Sequence, residues 1–299
     1  MSSDDTFDIA FIGHYTKDTV VTPQETRIIQ GGAFNYGCHV AARMGLRAAV
    51  VTRLAREDFD VVETLTRMGV RVFATPTQES TCLKLVYASE DLDQRTIYTV
   101  GFAGPFTPEE VEPVQAQAYH IGASIRGEVP LEVIQALARK KARVSLDVQG
   151  FVRINDHGKL IFHAWPQKAE VLQYVDVLKA DAVEAEMLTG STDRREAARA
   201  LAELGPSEVV LTHGQGVLVY AWGRFHEASF FPAQIKGRTG RGDTCIAAYL
   251  GKRLSASPAQ ATVWTAALTS LKLEAPGPFR RDIADVEHLI RDRYSSSVA

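Results

Sequence analysis

The chain has 299 residues, of which 45% are hydrophobic and 23% charged, and its net charge is −3. This composition is typical of a globular protein with one large or two smaller α/β domains, and the charge disfavours general binding to nucleic acid or membrane surfaces. Cys38, Cys82 and Cys245 lie far apart without metal-ligand spacing, and no apolar run reaches the ~18 residues of a membrane helix. We therefore expect a cytoplasmic protein that binds neither nucleic acid nor membranes.

The segment after the first predicted strand disfavours one common class of α/β enzyme. Residues 7–13 predict a buried strand that ends in glycine. The following segment, His14-Tyr15-Thr16-Lys17-Asp18, lacks the Gly-x-Gly-x-x-Gly fingerprint of a dinucleotide-binding fold. An NAD-dependent dehydrogenase is therefore disfavoured.

Two segments interrupt the alternation of strands and helices. Residues 19–29 are β-branched and predict a strand or hairpin outside the main sheet. Residues 81–88 and 95–100 predict two strands around a turn-rich stretch. We expect strands roughly from residues 15–30 and 81–100 to form a small β-sheet lid.

From residue 118 onward the alternation resumes. Short apolar strands near residues 119–122, 143–148 and 208–212 are separated by helical segments, and two helices close the chain. This order implies an α/β fold with a doubly wound, mostly parallel sheet flanked by helices, whose sites lie at the carboxyl ends of the strands. Because no repeat or linker is evident, we expect residues 1–299 to form a single α/β domain that carries the lid.

Residues 237–245 read Gly-Arg-Thr-Gly-Arg-Gly-Asp-Thr-Cys and precede an apolar helical stretch. A glycine-rich turn that opens a helix leaves several N–H groups pointing the same way, which favours an anion, and Arg238 and Arg241 add positive charge. A phosphate would repel Asp243, so this carboxylate serves either as a base for a hydroxyl or as an ordinary helix cap. Asp243 stands where a P-loop has lysine, which excludes that motif.

Three ordered motifs resemble the signatures of the ribokinase, or PfkB-type, family of carbohydrate kinases. They are Gly31-Gly32-Ala33-Phe34-Asn35, residues 179–190, and Gly240-Arg241-Gly242-Asp243. The sequences of three segments resemble the myo-inositol kinase branch of this family: residues 147–153, 237–245 and 275–278. The resemblance implies a ribokinase-like fold and an ATP- and Mg²⁺-dependent kinase that phosphorylates a hydroxyl of a small polyol, with myo-inositol as the first candidate.

The resemblance also implies a role for each matching residue. Asp243 would be the catalytic base, and the amides of Gly240, Arg241 and Gly242 would hold the transferred phosphoryl group. Glu184 would hold Mg²⁺, although an ordinary acidic residue at a helix start is the alternative. Gly31 and Gly32 would also form the hinge of the lid. The substrate-binding residues would be Asp18, Gly31, Gly32, Asn35, Asp147, Gln149 and Arg153. The residues on the nucleotide side would be Asp181, Thr212, Gly214, Arg238 and Thr239, with residues 263–271 as an apolar wall for adenine.

Alternatives remain for individual residues. Asp18 could cap a loop, Arg153 could be exposed without a role, and the side chain of Arg241 could point either to a phosphate or outward. The family usually begins its last signature with Asp, whereas this chain has Gly237. Because that carboxylate is missing, we do not predict potassium dependence.

Alternatives also remain for the function. Another sugar or a nucleoside could be the acceptor, since Phe34, Tyr87 and Phe102 are candidate stacking rings for a base. A non-catalytic polyol- or nucleotide-binding protein on the same scaffold would be expected to lose Asp243, which is retained here. An exposed edge of the lid sheet could pair two copies in a homodimer.

Overall fold

The computed structural model describes residues 6–88 and 95–294, which form alternating strands and helices. The strands are β1 Phe7–Ile12, β2 Thr16–Val21, β3 Thr26–Gly31, β4 Ala48–Ala55, β5 Arg71–Thr77, β6 Thr81–Tyr87, β7 Arg95–Gly101, β8 Ala116–Ile121, β9 Arg143–Asp147, β10 Arg153–Asp156, β11 Lys159–Phe162, β12 Val177–Asp181, β13 Glu208–His213, β14 Gly216–Ala221 and β15 Arg224–Ser229. The helices are α1 Ala33–Arg43, α2 Asp60–Arg67, α3 Pro108–Val111, α4 Leu131–Ala138, α5 Gln149–Val152, α6 Lys168–Leu172, α7 Ala182–Thr189, α8 Arg194–Ala202, α9 Arg241–Arg253, α10 Pro258–Leu273 and α11 Ile283–Arg293.

The larger sheet is mostly parallel. Within the described residues its strand order is β15-β14-β13-β12-β9-β8-β1-β4-β5. Only the pairings that involve β14 and β15 among these strands are antiparallel. Because the strand order runs outward in both directions from the middle, the connecting helices cover both faces. The predicted doubly wound sheet is thereby confirmed.

Residues along β1 show how both faces are covered. Ile9 and Phe11 pack into one apolar cluster with α1, α9 and α10. Ala10 and Ile12 pack into a second cluster with α4, α7 and α8. A strand buried on both faces needs an unbroken apolar sequence, which is what the first strand has.

A second, smaller sheet contains the strands that the sequence placed outside the main one. Its order within the described residues is β10-β11-β7-β6-β2-β3. The inner residues Val20, Leu83 and Leu85 form a small apolar cluster with Ile125 from the main domain. We call this sheet the lid. The turn-rich residues 89–94, which the sequence places between β6 and β7, lie outside the described residues.

The lid has two strands that the sequence did not indicate. β10 and β11 form a short hairpin, and β11 joins β7 through the pair Lys159 and Tyr98. Each of these strands has four residues, and the polar composition of β10 gives no alternating pattern. No helix in residues 6–88 and 95–294 has the length and apolar content needed to cross a membrane.

Candidate active site

The predicted site residues of the main domain meet at the carboxyl ends of neighbouring parallel strands. Asp147 ends β9, Asp181 ends β12, and Thr212 lies beside Asp181 in β13. The N-terminus of α9, which carries Asp243, opens toward the same edge, because Asp147 lies close enough to raise the pKa of Asp243. This edge is where ligands bind in open α/β sheets.

The start of α9 depends on two glycines that closely approach other groups. Gly240 is the N-cap residue with φ +75°, and a Cβ there would lie 2.1 Å from Cδ1 of Tyr36. A Cβ on Gly242 would lie 2.9 Å from Nζ of Lys179. Side chains at these positions would therefore displace Tyr36 and Lys179. The local sequence folds as a turn into a helix because glycine accepts the left-handed conformation at its entry.

The backbone donors at this helix start differ in one respect from the prediction. The amide of Arg241 donates a hydrogen bond to the carbonyl of Arg238 at 3.1 Å, so it is already engaged. The first turn of a helix still offers the amides that follow, those of Gly242 and Asp243. The amides of Gly242 and Asp243 are therefore candidate donors to an anion, as that of Gly240 is predicted to be, whereas that of Arg241 is not.

Asp243 is the third residue of α9 and is half-buried. Burial and the nearby charge of Asp147 raise the pKa of Asp243, Lys179 and Arg153 oppose the shift, and the resulting pKa is about 6. A carboxylate with this pKa is ionised at neutral pH and is a better proton acceptor than an ordinary aspartate. The environment thus fits the chemistry of a general base.

Lys179 connects the carboxylates of the site. Its Nζ lies 2.9 Å from Oδ2 of Asp147 and 3.9 Å from Oε2 of Glu184, and the side chain is buried. Burial lowers the pKa of Lys179, but the carboxylates of Asp147 and Glu184 outweigh this effect and leave the pKa above its usual value. A permanent positive charge therefore lies directly beside Gly242 at the candidate anion site.

Asp181 and Glu184 form a capping box at the start of α7. The amide of Glu184 donates to Oδ1 of Asp181 at 2.8 Å, and the amide of Asp181 donates to Oε2 of Glu184 at 2.8 Å. The alternative role for Glu184, an acidic residue at a helix start, is thus present in the structure. It does not exclude a metal, because the second oxygen of each carboxylate takes no part in these two bonds.

The fit of magnesium to these residues is limited. Among residues 6–88 and 95–294, no group of three or more His, Cys, Asp or Glu side chains is placed to hold a metal ion. Magnesium often binds through one or two carboxylates while keeping several waters and substrate phosphate oxygens. Glu184 fits an ion of that kind, held mainly by water and by the donor, and does not fit an ion enclosed by protein ligands.

On the lid, Asp18 points toward the main domain. Burial raises the pKa of Asp18 to about 6, a hydrogen bond from Thr16 and the charge of Arg95 oppose the shift, and the charge of Asp243 adds to it. Its Oδ1 is buried and has no hydrogen-bond partner within the described residues. A Cβ on Gly31 would lie 2.5 Å from Oδ2 of Asp18. Asp18 is thus a carboxylate with an unused acceptor that faces Asp243, which disfavours a simple loop cap.

Three more predicted substrate residues, Asn35, Gln149 and Arg153, make contacts within the fold. Asn35 is buried in the first turn of α1 and donates from Nδ2 to the carbonyl of Gln30 at 3.1 Å. The amide of Gln149 donates to Oδ1 of Asp147 at 3.0 Å. Arg153 is half-buried, lies close to the charges of Asp147 and Glu184, and packs 5.6 Å from the ring centre of Phe162. The structure therefore does not support the alternative of an exposed Arg153 without contacts.

On the other side of Asp243, two further cations face the loop before α9. The Nζ of Lys272, from the last turn of α10, donates to the carbonyl of Gly237 at 2.9 Å and to the carbonyl of Thr239. Burial lowers the pKa of Lys272 to about 8, with Asp243 raising and Arg241 lowering it. Arg241 also contributes to the lowered pKa of His213. The guanidinium of Arg241 is thus near enough to lower the pKa of both Lys272 and His213, and its contact with a phosphate stays a prediction.

The other residues predicted for the nucleotide side are less closely placed. Thr212 is buried beside Asp181, whereas Arg238, Thr239 and Gly214 are exposed. A Cβ on Gly214 would meet nothing within 4 Å, so sterics do not require glycine there. The predicted adenine wall, residues 263–271, is buried in the main core. Because Val263, Trp264 and Leu271 are each only 6% exposed, these side chains offer little surface to a base, and the adenine wall stays a prediction.

Sequence reasoning missed Lys179, Lys272 and Tyr36 as site residues. Lys179 is a charged residue inside the apolar strand Val177-Leu178-Lys179-Ala180, and Lys272 lies near the end of the apolar helix α10. A lysine within a buried apolar element is a usable signal, because burying an unpaired charge is costly. Tyr36 offers no comparable signal, since its contact with Gly240 arises only from the packing of α1 against α9.

Comparison with known proteins agrees with this geometry. The family described as pfkB family carbohydrate kinase matches residues 2–278. The chain belongs to the pfkB family. As a member of this family, with kinases as structural neighbours, it is a phosphotransferase that acts on a hydroxyl of a sugar or polyol.

Two similar pfkB-family structures carry information about ligands. A pyrophosphate-dependent kinase in the ribokinase family, in complex with a pyrophosphate analog and myo-inositol, is 36% identical with a TM-score of 0.86, and the match covers 94% of this chain and 99% of that one. A sulfate complex of a pyrophosphate-dependent kinase in this family is 38% identical with a TM-score of 0.87, covering 93% and 99%.

More distant relatives show the breadth of the family. A cytidine kinase of Thermococcus kodakarensis is 27% identical over 258 residues, which is 81% of this chain and 87% of that protein. The Arabidopsis thaliana ribokinase in complex with ribose and ATP is 21% identical with a TM-score of 0.76, covering 96% and 99%. The latter similarity supports the ribokinase-like fold alone.

Proposed function

We propose that this pfkB-family protein phosphorylates one hydroxyl of a small polyol, with myo-inositol as the acceptor. The observation that carries the proposal is the position of Asp243, a half-buried carboxylate between the acceptor-side acids Asp18 and Asp147 and the amides at the start of α9. Carboxylates and an amide with fixed geometry suit a polyol, which offers many hydroxyl donors and little apolar area.

The residues divide the chemistry between them. Asp243 accepts the proton of the acceptor hydroxyl as the oxygen bonds to the phosphorus and the donor's bridging oxygen leaves. The amides of Gly242 and Asp243, together with Lys179, stabilise the charge on the transferred phosphoryl group. Magnesium, held by the donor and through water by Glu184 and Asp181, would neutralise charge on the donor phosphates when bound.

For the donor we propose pyrophosphate, and ATP, which the sequence resemblance implies, is the alternative. The 36–38% identical pyrophosphate-dependent kinases support this choice. So does the donor side of the site, where Arg241 and Lys272 supply positive charge while the expected adenine wall is buried. Pyrophosphate has no nucleobase, so its binding depends on positively charged side chains and not on an apolar pocket for adenine.

A nucleoside acceptor is the second candidate. The 27% identical cytidine kinase supports it, as does Phe162, which is 51% exposed beside Arg153 and could stack on a base. Of the three predicted stacking rings, Phe34 and Tyr87 are buried, which favours a polyol, whereas Phe102 is half-buried and stays a candidate for a base. A non-catalytic binding protein is disfavoured because Asp243 and its glycines are all present.

We also propose that residues 1–299 act as one ribokinase-like domain in the cytoplasm, and that the lid closes on Gly31 and Gly32 as a hinge. Closure would exclude water from the transferable phosphoryl group. The outer residues Ile28, Tyr98 and Val100 are 65%, 39% and 62% exposed. This apolar lid surface supports a homodimer through the lid, which sedimentation analysis of wild type and Val100→Glu would test: a dimer that the substitution leaves intact contradicts it.

The proposed function is tested by a matrix of donors and acceptors. Pyrophosphate and ATP are each combined with inositols, pentoses, hexoses and nucleosides, and the phosphorylated products are measured by mass spectrometry. We expect inositol monophosphate from myo-inositol, with pyrophosphate as the better donor. Products from ribose, fructose or cytidine without any from an inositol would reject the acceptor, and higher efficiency with ATP would reject the donor.

A further inference from the structure

We propose that the ammonium group of Lys272 is a tethered cation that holds the loop before α9, residues 237–240, in place of a free monovalent cation. This inference rests on the proposed function for its catalytic consequences. The contacts of Lys272 and Gly237 in the structure do not depend on that function.

The loop carbonyls point at Lys272. Lys272 is 2% exposed, and its Nζ donates to the carbonyls of Gly237 and Thr239. It also lies 5.8 Å from the ring centre of Tyr36, whose face can attract a cation. Two carbonyl oxygens and an aromatic face are the surroundings of a bound cation.

Gly237 cannot supply the carboxylate that a free cation would use. A Cβ at this position would lie 2.4 Å from the carbonyl oxygen of Ala275 and 2.7 Å from Cα of Pro276. An aspartate would therefore need the backbone after α10 to move. The residues present do not fit a free monovalent cation, because the carboxylate is absent and the carbonyls already bind an ammonium.

The backbone of α10 anchors the same loop from a second point. The amides of Lys236 and Gly237 both donate to the carbonyl of Leu273, at 2.8 Å and 3.1 Å. Lys272 thus extends an existing attachment from the start of the loop to Thr239, the residue before the N-cap Gly240. Through this loop, Lys272 positions the amides at the start of α9 rather than reacting itself.

The kinetic experiment compares wild type with Lys272→Ala and Lys272→Met, using the acceptor and donor that give the highest activity. Rates are measured in potassium, ammonium or choline chloride at equal ionic strength. Wild type should change by less than about twofold among the salts. Lys272→Ala should lose roughly 10²-fold in kcat/KM, the typical cost of a misplaced site, and should regain at least about tenfold in potassium or ammonium. Lys272→Met should lose activity without regaining it, because its side chain fills the space.

A matched control removes the same charge from the same helix pair. Lys252 lies 4.3 Å from the ring centre of Trp264 on α10, and by the ~1.5 Å rise per residue of a helix it lies roughly 16 Å from the start of α9. Lys252→Ala should keep the wild-type rate in every salt. The conservative variant Lys272→Arg should retain more activity than Lys272→Met.

Thermal denaturation provides a readout that does not depend on catalysis. Potassium chloride should raise the Tm of Lys272→Ala above its value in choline chloride and leave that of wild type unchanged, since only the variant has a vacant cation position. A wild-type rate that requires potassium would overturn the inference, as would a Lys272→Ala variant that loses activity and is rescued by no monovalent cation. If no acceptor is phosphorylated by wild type, the proposed function fails, while the Tm comparison still decides the role of Lys272.

Discussion

Replacing Asp243 by Asn should abolish activity and stabilise the protein at the same time. The pKa of Asp243 is raised from 3.8 to about 6, mainly by burial. At about 1.36 kcal/mol per pKa unit, its ionised form destabilises the folded state by about 3 kcal/mol above pH 6. Asparagine has nearly the same shape and carries no charge, so this cost disappears along with the base.

The sign of this effect fixes its pH dependence. Below the unfolded pKa of 3.8 the carboxyl is neutral in both states, so the stabilities of wild type and Asp243→Asn should converge as the pH falls toward 4 and below. The advantage of the variant should grow as the pH rises toward 6 and remain constant above it. For a chain of this length, 3 kcal/mol corresponds to a Tm increase of about 5 °C.

The assay combines calorimetry between pH 4 and pH 8 with steady-state kinetics. Asp292→Asn serves as control, because Asp292 is an exposed carboxylate on α11 whose Oδ2 lies 3.3 Å from Nε2 of His288. A surface pair of this kind contributes at most about 1 kcal/mol. An Asp243→Asn variant that is less stable than wild type at pH 8 would contradict the electrostatic reasoning. Activity above a tenth of wild type would contradict the assignment of the base.

Three further substitutions test neighbouring parts of the site. Lys179→Met removes a charge that lowers the pKa of Asp243, so the acidic limb of kcat/KM against pH should move to higher pH, and Lys179→Arg should restore it; an unmoved limb contradicts the contact. Gly31→Ala places a Cβ 2.3 Å from Oγ1 of Thr16 and 2.5 Å from Oδ2 of Asp18. It should lower acceptor kcat/KM by roughly 10²-fold while leaving the donor KM unchanged. Equal effects on both substrates would count against Asp18. Glu184→Gln should raise the Mg²⁺ concentration for half-maximal rate by about tenfold, and an unchanged requirement would remove Glu184 from the metal site.

Much of the fold follows from local sequence pattern. The apolar first strand, the alternation after residue 118 and the glycine-bounded helices predict a doubly wound sheet, and the structure confirms it. The strands β10 and β11 were not predictable in this way. Their four-residue lengths leave too few positions for a periodicity, and their place in the lid depends on pairing with β7.

The candidate site was predictable where a residue type is unusual for its position. Asp243 in a glycine-rich loop and Asn35 inside a helix are such cases. The partners Lys179 and Lys272 were not assigned, because their roles depend on which carboxylates and carbonyls the fold brings to them from distant positions. The engagement of the Arg241 amide also depends on the turn geometry, which the sequence alone does not specify.

The most direct test of the central claim follows phosphorus from donor to acceptor. Wild type and Asp243→Asn are incubated with Mg²⁺, myo-inositol and either pyrophosphate or ATP, and the products are identified by ³¹P NMR. The proposed function predicts one phosphate-ester signal from an inositol monophosphate with wild type, equal in amount to the orthophosphate or ADP released, and none with the variant. Donor hydrolysis without an ester, or an ester formed equally by Asp243→Asn, would contradict it.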